Sequence, residues 1–165
     1  NKVFARVSPV MLNNAHSLAG VNDVFNAILV RGDAIGEVVF YGRGAGKYPT
    51  ASAVVGDVID ITKNRSGNDM HAWTKTEYNN VLDIDGTFTR YFVRLRGQGA
   101  NNGKDLLREI FGEMDFVNAG DRDTREIVFV TPKAKEIELR SCLDRIAKAG
   151  AGYSIASVIR YGCDD

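Results

Sequence analysis

The feature that most constrains this chain is a strand-like run that ends in spaced glycines and leads into a helical pattern. The run covers residues 37–41, alternate glycines follow at Gly42, Gly44 and Gly46, and Pro49 opens the helical pattern. Glycine allows positive φ angles and the close approach of a ligand, and proline is favoured in the first turn of a helix. The free amides of that turn can hold an anion or a dipolar group. The pattern therefore predicts a backbone binding loop between a strand and a helix.

Two well-known phosphate-binding motifs do not fit this loop. In a P-loop, Tyr41 would stand where the first glycine is required, and Tyr48 where a Ser or Thr must follow the lysine. A dinucleotide fingerprint starting at Gly42 would need a third glycine at position 47, which is Lys47. The loop is therefore predicted to be a glycine-rich hinge that leads into a helix and belongs to neither of these motifs.

Three ordered motifs in the first third of the chain carry a family resemblance. They are RV-x-P at 6–9, H-x-L-A-x-V-x-x-V-x-N-A at 16–27, and YG-x-GAG-x-x-PTASAVV-x-D at 41–57. Together they resemble the end of the catalytic region of homoserine dehydrogenase. From about Phe88 onward, the pattern resembles the small regulatory ACT domain that many members of that family carry at the C-terminus.

The resemblance implies a role for the glycine loop. In that family the loop lies against the nicotinamide end of NADP or NAD, which implies cofactor contacts from Gly44, Ala45, Gly46 and Thr50. The nucleotide-binding fold, the catalytic lysine and the substrate carboxylates stand upstream of the matched region. The sequence therefore assigns no catalytic residue here, and we expect an inactive C-terminal fragment. The sheet of residues 24–41 is expected to contribute to a homodimer or a higher homo-oligomer.

The first part of the chain has strand and helix patterns of its own. Alternation predicts a strand at 2–12, whose pairing Pro9 should end, and strands at 23–30 and 35–41 that form a hairpin. The helix predicted at 50–63 should bury one apolar face, made of Val54, Val55, Val58, Ile59 and Ile61. Small residues in its first half leave a structural alternative open, in which the glycine loop only allows tight packing against a sheet.

The second part of the chain predicts a strand–helix–strand–strand–helix–strand order, as in a ferredoxin-like fold. One helix carries an apolar face that ends at Met114, and strands follow at 115–119 and 125–130. Thr131 and Pro132 are typical of a helix start, and the last strand is expected at 153–161. This second helix should bury Leu139, Cys142, Leu143 and Ile146. The predicted fold class is α+β, with a partial mixed sheet and a covering helix before the ACT-like fold.

The domain prediction follows from these patterns. Residues 1–64 form the end of the catalytic region, 65–86 form a linker, and 87–165 form the ACT-like regulatory domain. Within the linker, Trp73 and Tyr78 are expected to anchor the domain junction. Residues 83–86 resemble the opening of a calcium loop, but Arg90 and Phe92 follow where ligands should stand.

The ACT resemblance implies an amino-acid site in the loop at 97–103. Amides at a helix start suit a carboxylate, and the predicted effector-binding residues are Gly99, Asn101, Asn102 and Gly103. L-threonine, the end product of the pathway, is the expected effector. The Asp and the Pro-Gly pair of the familiar ACT loop are missing. The alternative that this domain binds no effector and serves only as a dimerisation surface (a dimerisation plate) therefore stays open. A stand-alone module for amino-acid binding or oligomerisation is the rival to the whole interpretation.

Composition excludes several other classes of function. The 165 residues carry 21 basic and 21 acidic side chains, and 44% of them are hydrophobic. Zero net charge gives no basic excess for nucleic acid or an anionic membrane surface. The cysteines, Cys142 and Cys163, are expected to be free thiols in the cytoplasm. His16 and His71 lack the spacing of metal ligands, so no metal site is predicted.

Overall fold

A computed structural model describes residues 2–64, 75, 78–97, 100–117, 125–149 and 152–162. It divides into two compact units, one formed by Asn13–Glu77 and the other by Asn1–Leu12 with Tyr78–Asp165. The elements, in chain order, are β1 (Val10–Met11), β2 (Phe25–Gly32), β3 (Gly36–Arg43), α1 (Lys47–Lys63), β4 (Phe88–Thr89), β5 (Tyr91–Gly97), α2 (Ala100–Phe111), β6 (Asp115–Phe116), β7 (Glu126–Val130), β8 (Ala134–Lys135), α3 (Glu136–Lys148) and β9 (Tyr153–Tyr161). The mixed α+β class is as predicted.

The unit of Asn13–Glu77 contains the predicted hairpin. Strands β2 and β3 pair antiparallel from Phe25 opposite Arg43 to Gly32 opposite Gly36. Gly36 takes a φ of 71° at the turn, a conformation that glycine adopts without strain. The pair is a two-stranded antiparallel sheet, and the mixed sheet of the described residues lies in the other unit, where β1 takes part in it.

Helix α1 does not bury its apolar face as predicted. The side chains of Val54, Val55, Val58, Ile59 and Ile61 are 48–72% exposed. Hairpin residues such as Ile28 and Phe40 are also largely exposed. The periodicity identified the helix correctly, but a periodic pattern does not say whether the covering surface belongs to the same chain. Such an extended apolar surface is typical of a protein interface.

The second unit is built on a five-stranded sheet with the order β1-β9-β5-β7-β6. Strand β1 runs parallel to β9, and the other neighbouring pairs are antiparallel. Alternate residues of β5 and β7 point to one face, where helices α2 and α3 pack. The buried core consists of Tyr91, Val93, Leu95, Leu107, Ile127, Phe129, Leu139 and Ile146. Cys142 is partly buried beside this core, and its thiol donates to the Ile110 carbonyl across the two helices at 3.7 Å.

Residues 2–12 belong to this second unit and do not form one long strand. Regular pairing begins only after Pro9, with Val10 opposite Arg160 and Met11 opposite Tyr161. Further upstream, Val3 forms an isolated parallel bridge with Val81. The predicted strand at 2–12 is therefore wrong, because regular pairing starts after Pro9 instead of ending there. The parallel pairing of β1 with β9 makes the five-stranded sheet mixed. The predicted domain boundaries at residues 64 and 86 stay a prediction.

Helix α3 begins later than predicted. Thr131 and Pro132 do not start it, because the chain first forms β8 opposite β4. The helix begins at Glu136, and the Lys135 amide donates to the Glu138 carboxylate at 3.2 Å. The Thr131 hydroxyl instead accepts a hydrogen bond from the Tyr91 amide at 2.9 Å. A residue that looked like a helix cap therefore stabilises the start of β5.

Candidate functional site

The glycine loop joins β3 to α1 through residues 44–46. Gly46 is the residue before the helix and has φ 127° and ψ 157°, a region that side-chain-bearing residues rarely adopt. A Cβ on Gly44 would overlap the amide group of Asn26 in β2. Gly46 therefore requires glycine for its backbone angles, whereas a side chain at Gly44 would have to displace the side chain of Asn26.

Helix α1 begins three residues earlier than the sequence predicted. The Thr50 amide donates to the Gly46 carbonyl at 3.0 Å and so belongs to the helical ladder. The amides of Lys47 and Tyr48 come before this first bond, where a helix has no internal acceptor for them, and Pro49 has no N–H. The backbone donors at the helix start are therefore those of Lys47 and Tyr48, and the side chain of Thr50 is exposed one residue further along.

An open cavity of about 580 Å³ lies at this helix start. Its lining residues are Arg43, Ala45, Gly46, Lys47, Tyr48, Pro49 and Ser52. The Arg43 guanidinium lies 5.1 Å from the centroid of the Phe25 ring, and the Lys47 ammonium 5.9 Å from that of Tyr48. Two cations and the positive end of the helix dipole give the cavity a positive potential. It suits an anionic group or the oxygen end of a dipole.

Of the four predicted cofactor contacts, Ala45 and Gly46 line this cavity. Gly44 lies against Asn26, and Thr50 follows along the helix. Arg43 and Ser52 also line the cavity, and no sequence motif predicted a role for either of them here. Arg43 and Lys47 flank the glycines in the sequence, and these two basic residues were the signal that could have indicated a positively charged cavity.

The predicted effector loop is only partly described. Gly99 lies outside the described residues, and so do the side chains of Asn101 and Asn102. Because β5 extends to Gly97 and α2 begins at Ala100, both asparagines stand in the first helical turn and not in the preceding loop. The helix itself ends at Phe111, before the predicted Met114.

Gly103 has a packing role in this structure. It is buried, and a Cβ there would overlap Ile127 and lie 2.8 Å from the hydroxyl of Tyr153. Gly97 approaches the same tyrosine, since a Cβ on it would overlap the ring and lie 2.7 Å from the Gly152 carbonyl oxygen. The two glycines let β5 and α2 close around Tyr153. An effector contact by Gly103 stays a prediction.

A buried ionic network connects β4, β5, β9 and the start of α3. The Glu136 side chain is 1% exposed and accepts two hydrogen bonds from Arg160, at 2.7 and 2.9 Å. The Tyr91 hydroxyl donates to the same carboxylate at 2.5 Å, and Arg140 donates from the exposed side at 3.0 Å. Arg160 also donates to the Thr89 hydroxyl at 3.2 Å. The carboxylate is therefore fully paired, as a buried charge must be.

The network shifts the pKa values of its members. Burial opposes ionisation of Glu136, but the hydrogen bonds from Arg160 and Tyr91 and the charges of Arg160 and Arg140 outweigh it, so its carboxyl pKa lies below the ordinary value. Burial, together with the hydrogen bond to Glu136, raises the pKa of Tyr91 to about 12. Both groups are thus held in the forms that bind each other. Sequence pattern did not indicate this cluster, because its members are far apart in the chain.

The opposite face of the sheet carries a second, more exposed cluster. Glu126 accepts hydrogen bonds from Arg96 at 2.8 Å and from Arg94 at 2.9 and 3.0 Å. These bonds lower the pKa of the Glu126 carboxyl. Both arginines are substantially exposed. This cluster secures the register of β5 and β7, and pairs of this kind contribute little to stability.

Two negative findings apply to the part of the chain that the structure describes. Within it, no group of three or more His, Cys, Asp or Glu side chains is placed to hold a metal ion. Its helices are also all too short or too polar to cross a membrane.

Comparisons with known proteins agree on one family. Residues 2–59 match the family model described as homoserine dehydrogenase. A homoserine dehydrogenase from Synechocystis is 37% identical over 94% of this chain and 39% of its own length, and one from Corynebacterium glutamicum is 34% identical over 96% and 37%. The crystal structure of a homoserine dehydrogenase from Thiobacillus denitrificans matches 98% of this chain and 39% of its own, with a TM-score of 0.80 and 26% identity. The chain thus spans about two fifths of the length of the relatives it matches.

Proposed function

We propose that this chain belongs to the homoserine dehydrogenase family and forms the C-terminal part of an enzyme that interconverts L-homoserine and L-aspartate 4-semialdehyde with NADP or NAD. The match extends over nearly all of this chain but covers 39% of the Synechocystis relative. The remaining part of the parent supplies the nucleotide-binding fold and the lysine for proton transfer. This chain alone is therefore inactive, and a dehydrogenase assay on it and on the complete protein tests that.

The positive cavity at the start of α1 is the observation that best supports a cofactor role. The nicotinamide cofactor supplies the hydride. The chain offers the amides of Lys47 and Tyr48 and the cations of Arg43 and Lys47 to its polar groups. Gly46 keeps the loop free of a side chain at the point where the helix starts. These residues position the cofactor and transfer no proton.

Residues 87–165, which make up most of the second unit, are proposed to be an ACT-type regulatory domain. Its sheet order β9-β5-β7-β6, with both helices on one face, supports a ferredoxin-like fold. The first turn of α2 is the proposed place for the carboxylate of L-threonine, with contacts from Gly99, Asn101, Asn102 and Gly103. Fold alone does not establish a ligand, so this assignment depends on a binding measurement.

We expect this chain to bind L-threonine in isothermal titration calorimetry, with one site lost on Asn102→Ala. The amide side chain of Asn102 can hydrogen-bond the carboxylate or hydroxyl of the amino acid. Homoserine and alanine serve as comparison ligands. If Asn102→Ala leaves the number and affinity of threonine sites unchanged, the loop is not the effector site, and a dimerisation plate becomes the better account of this end of the domain.

The exposed apolar surface of the hairpin supports association with a second copy in the parent enzyme. Ile28 is 65% exposed and Phe40 is 62% exposed. They lie on the two strands of a two-stranded sheet, so among the described residues each strand is paired along one edge only. We propose a homodimer through this sheet. The alternative, a stand-alone amino-acid-binding or oligomerisation module, predicts a coding sequence that does not extend upstream through a nucleotide-binding domain.

A further inference from the structure

A cavity of about 710 Å³ lies at the C-terminal end of α2, away from the helix start that the effector prediction uses. It opens between that helix end, the start of β6, and the chain segments next to β5 and β7. Its lining residues are Arg90, Arg108, Gly112, Glu113, Met114, Asp115 and Pro132. The volume is within the range of small-molecule sites. The lining combines two cations, two carboxylates and an apolar part.

The two arginines are held in place by other contacts. The Arg90 Nε donates to the Thr131 carbonyl at 3.2 Å, and its guanidinium lies 5.8 Å from the centroid of the Tyr161 ring. Arg108 bonds Asp105 at 3.0 Å through Nη1 and lies 5.4 Å from the centroid of the Phe116 ring. Each guanidinium has five N–H donors, so further donors remain for a carboxylate. Positioned guanidinium groups lose less freedom when they bind.

The acidic part of the lining adjoins the negative end of a helix. Gly112 ends α2 with a φ of 79°, and its amide donates to the Arg108 carbonyl at 2.9 Å. The last carbonyls of the helix and the carboxylates of Glu113 and Asp115 favour a cation nearby. The Arg90 Nη2 lies 3.7 Å from Asp115 Oδ2, which is longer than a hydrogen bond. Both groups therefore keep hydrogen-bonding capacity for a third partner.

We propose that this cavity binds the zwitterionic backbone of a small free α-amino acid. The carboxylate lies against Arg90 and Arg108, and the ammonium lies against Glu113 and Asp115. The side chain of the ligand contacts Met114 and Pro132. This site is separate from the loop assigned above, and it goes beyond the proposed function because it adds a second amino-acid site to the same domain.

The test is calorimetric titration of L-threonine into the Asn102→Ala chain, which isolates the cavity from the loop. We expect one saturable site that Arg108→Gln weakens about tenfold or more, as expected for loss of a hydrogen bond between charged groups. Lys104→Gln is the matched control, because it removes the same charge from the same helix. Lys104 also lies over the Phe116 ring, at 5.4 Å, but does not line the cavity. L-threoninol, which lacks the carboxylate, should not bind.

Three results would overturn the proposal. They are no threonine binding to the Asn102→Ala chain, equal weakening by Arg108→Gln and Lys104→Gln, and L-threoninol binding as tightly as threonine. If Asn102→Ala removes all binding that the unmodified chain shows, the effector loop stands and the cavity site fails. If the unmodified chain binds no amino acid, both sites fail, while the enzyme assignment is judged separately by turnover of the complete protein.

Discussion

Replacing Glu136 by glutamine lowers the free energy of unfolding of this chain by about 3 kcal/mol or more. Glutamine has nearly the same shape but no charge, so Arg160, whose side chain is 10% exposed, loses the negative charge of Glu136 inside the unit. Removing one partner of a buried ion pair costs about 3–5 kcal/mol, because the other charge stays buried. Urea denaturation followed by far-UV circular dichroism measures the change.

Arg140→Gln is the matched control for this prediction. Arg140 contacts Glu136 Oε1, which also accepts a hydrogen bond from Arg160. The Arg140 side chain, however, is 51% exposed and also pairs with Asp85. Exposed ion pairs contribute about 0–1 kcal/mol. Equal destabilisation by the two substitutions would show that burial of the Glu136–Arg160 pair is not what makes it important.

The effect of Glu136→Gln also depends on pH. The folded pKa of Glu136 is below its ordinary value of 4.5, so the ionised carboxylate contributes stability above that value. This contribution is lost as the pH falls through the lowered folded pKa. The difference in stability between the natural chain and the variant should therefore be largest near neutral pH and shrink on acidification. A difference that grows in acid would contradict the proposed pairing.

The proposed cofactor contact predicts that replacing Gly46 by valine in the complete protein reduces kcat/KM for the nicotinamide cofactor about a hundredfold, which corresponds to about 2.7 kcal/mol. The φ of 127° at Gly46 is strongly unfavourable for a β-branched residue, so the loop must change its path. The amides of Lys47 and Tyr48 then move away from the proposed cofactor position. Steady-state kinetics with varied cofactor measures the loss, which should appear mainly as a higher KM.

Gly42→Ala provides the control for the loop. Gly42 lies in β3 next to the loop, has an ordinary φ, and has open space where a Cβ would stand. Its replacement should leave cofactor kinetics unchanged within about twofold, since neither strain nor overlap arises. If Gly46→Val retains normal cofactor kinetics in a folded enzyme, the loop does not contact the cofactor.

The sequence predicted local structure well where one pattern was sufficient. The hairpin, the glycine loop, the helix after it and the strand–helix order from Tyr91 onward all have strong periodicity or turn residues. The predicted start of α3 was wrong. Thr131 looked like a helix cap, but its hydroxyl accepts a hydrogen bond from the Tyr91 amide, 40 positions away. At Thr131, a long-range contact therefore determines the structure in place of the local preference for a helix start.

Burial was harder to predict than secondary structure. The apolar stripe of α1 is real, but Val54 and Ile61 remain exposed among the described residues, because periodicity does not identify the covering surface. The Glu136 network was also missed, since Tyr91, Glu136 and Arg160 meet only after β5, α3 and β9 have packed. For the site, the glycines were identified from the sequence, whereas Arg43 and Ser52 became candidates only when the cavity placed them beside Gly46.

The most direct measurement is the NADPH-dependent reduction of L-aspartate 4-semialdehyde by the purified 165-residue chain and by the complete protein that contains it. NADPH oxidation is followed at the same protein concentration for both, and NADH is tested in parallel. The account predicts turnover by the complete protein and none by the chain alone. Turnover by the chain alone, or an inactive but folded complete protein, would contradict the assignment of this chain as the C-terminal part of a homoserine dehydrogenase.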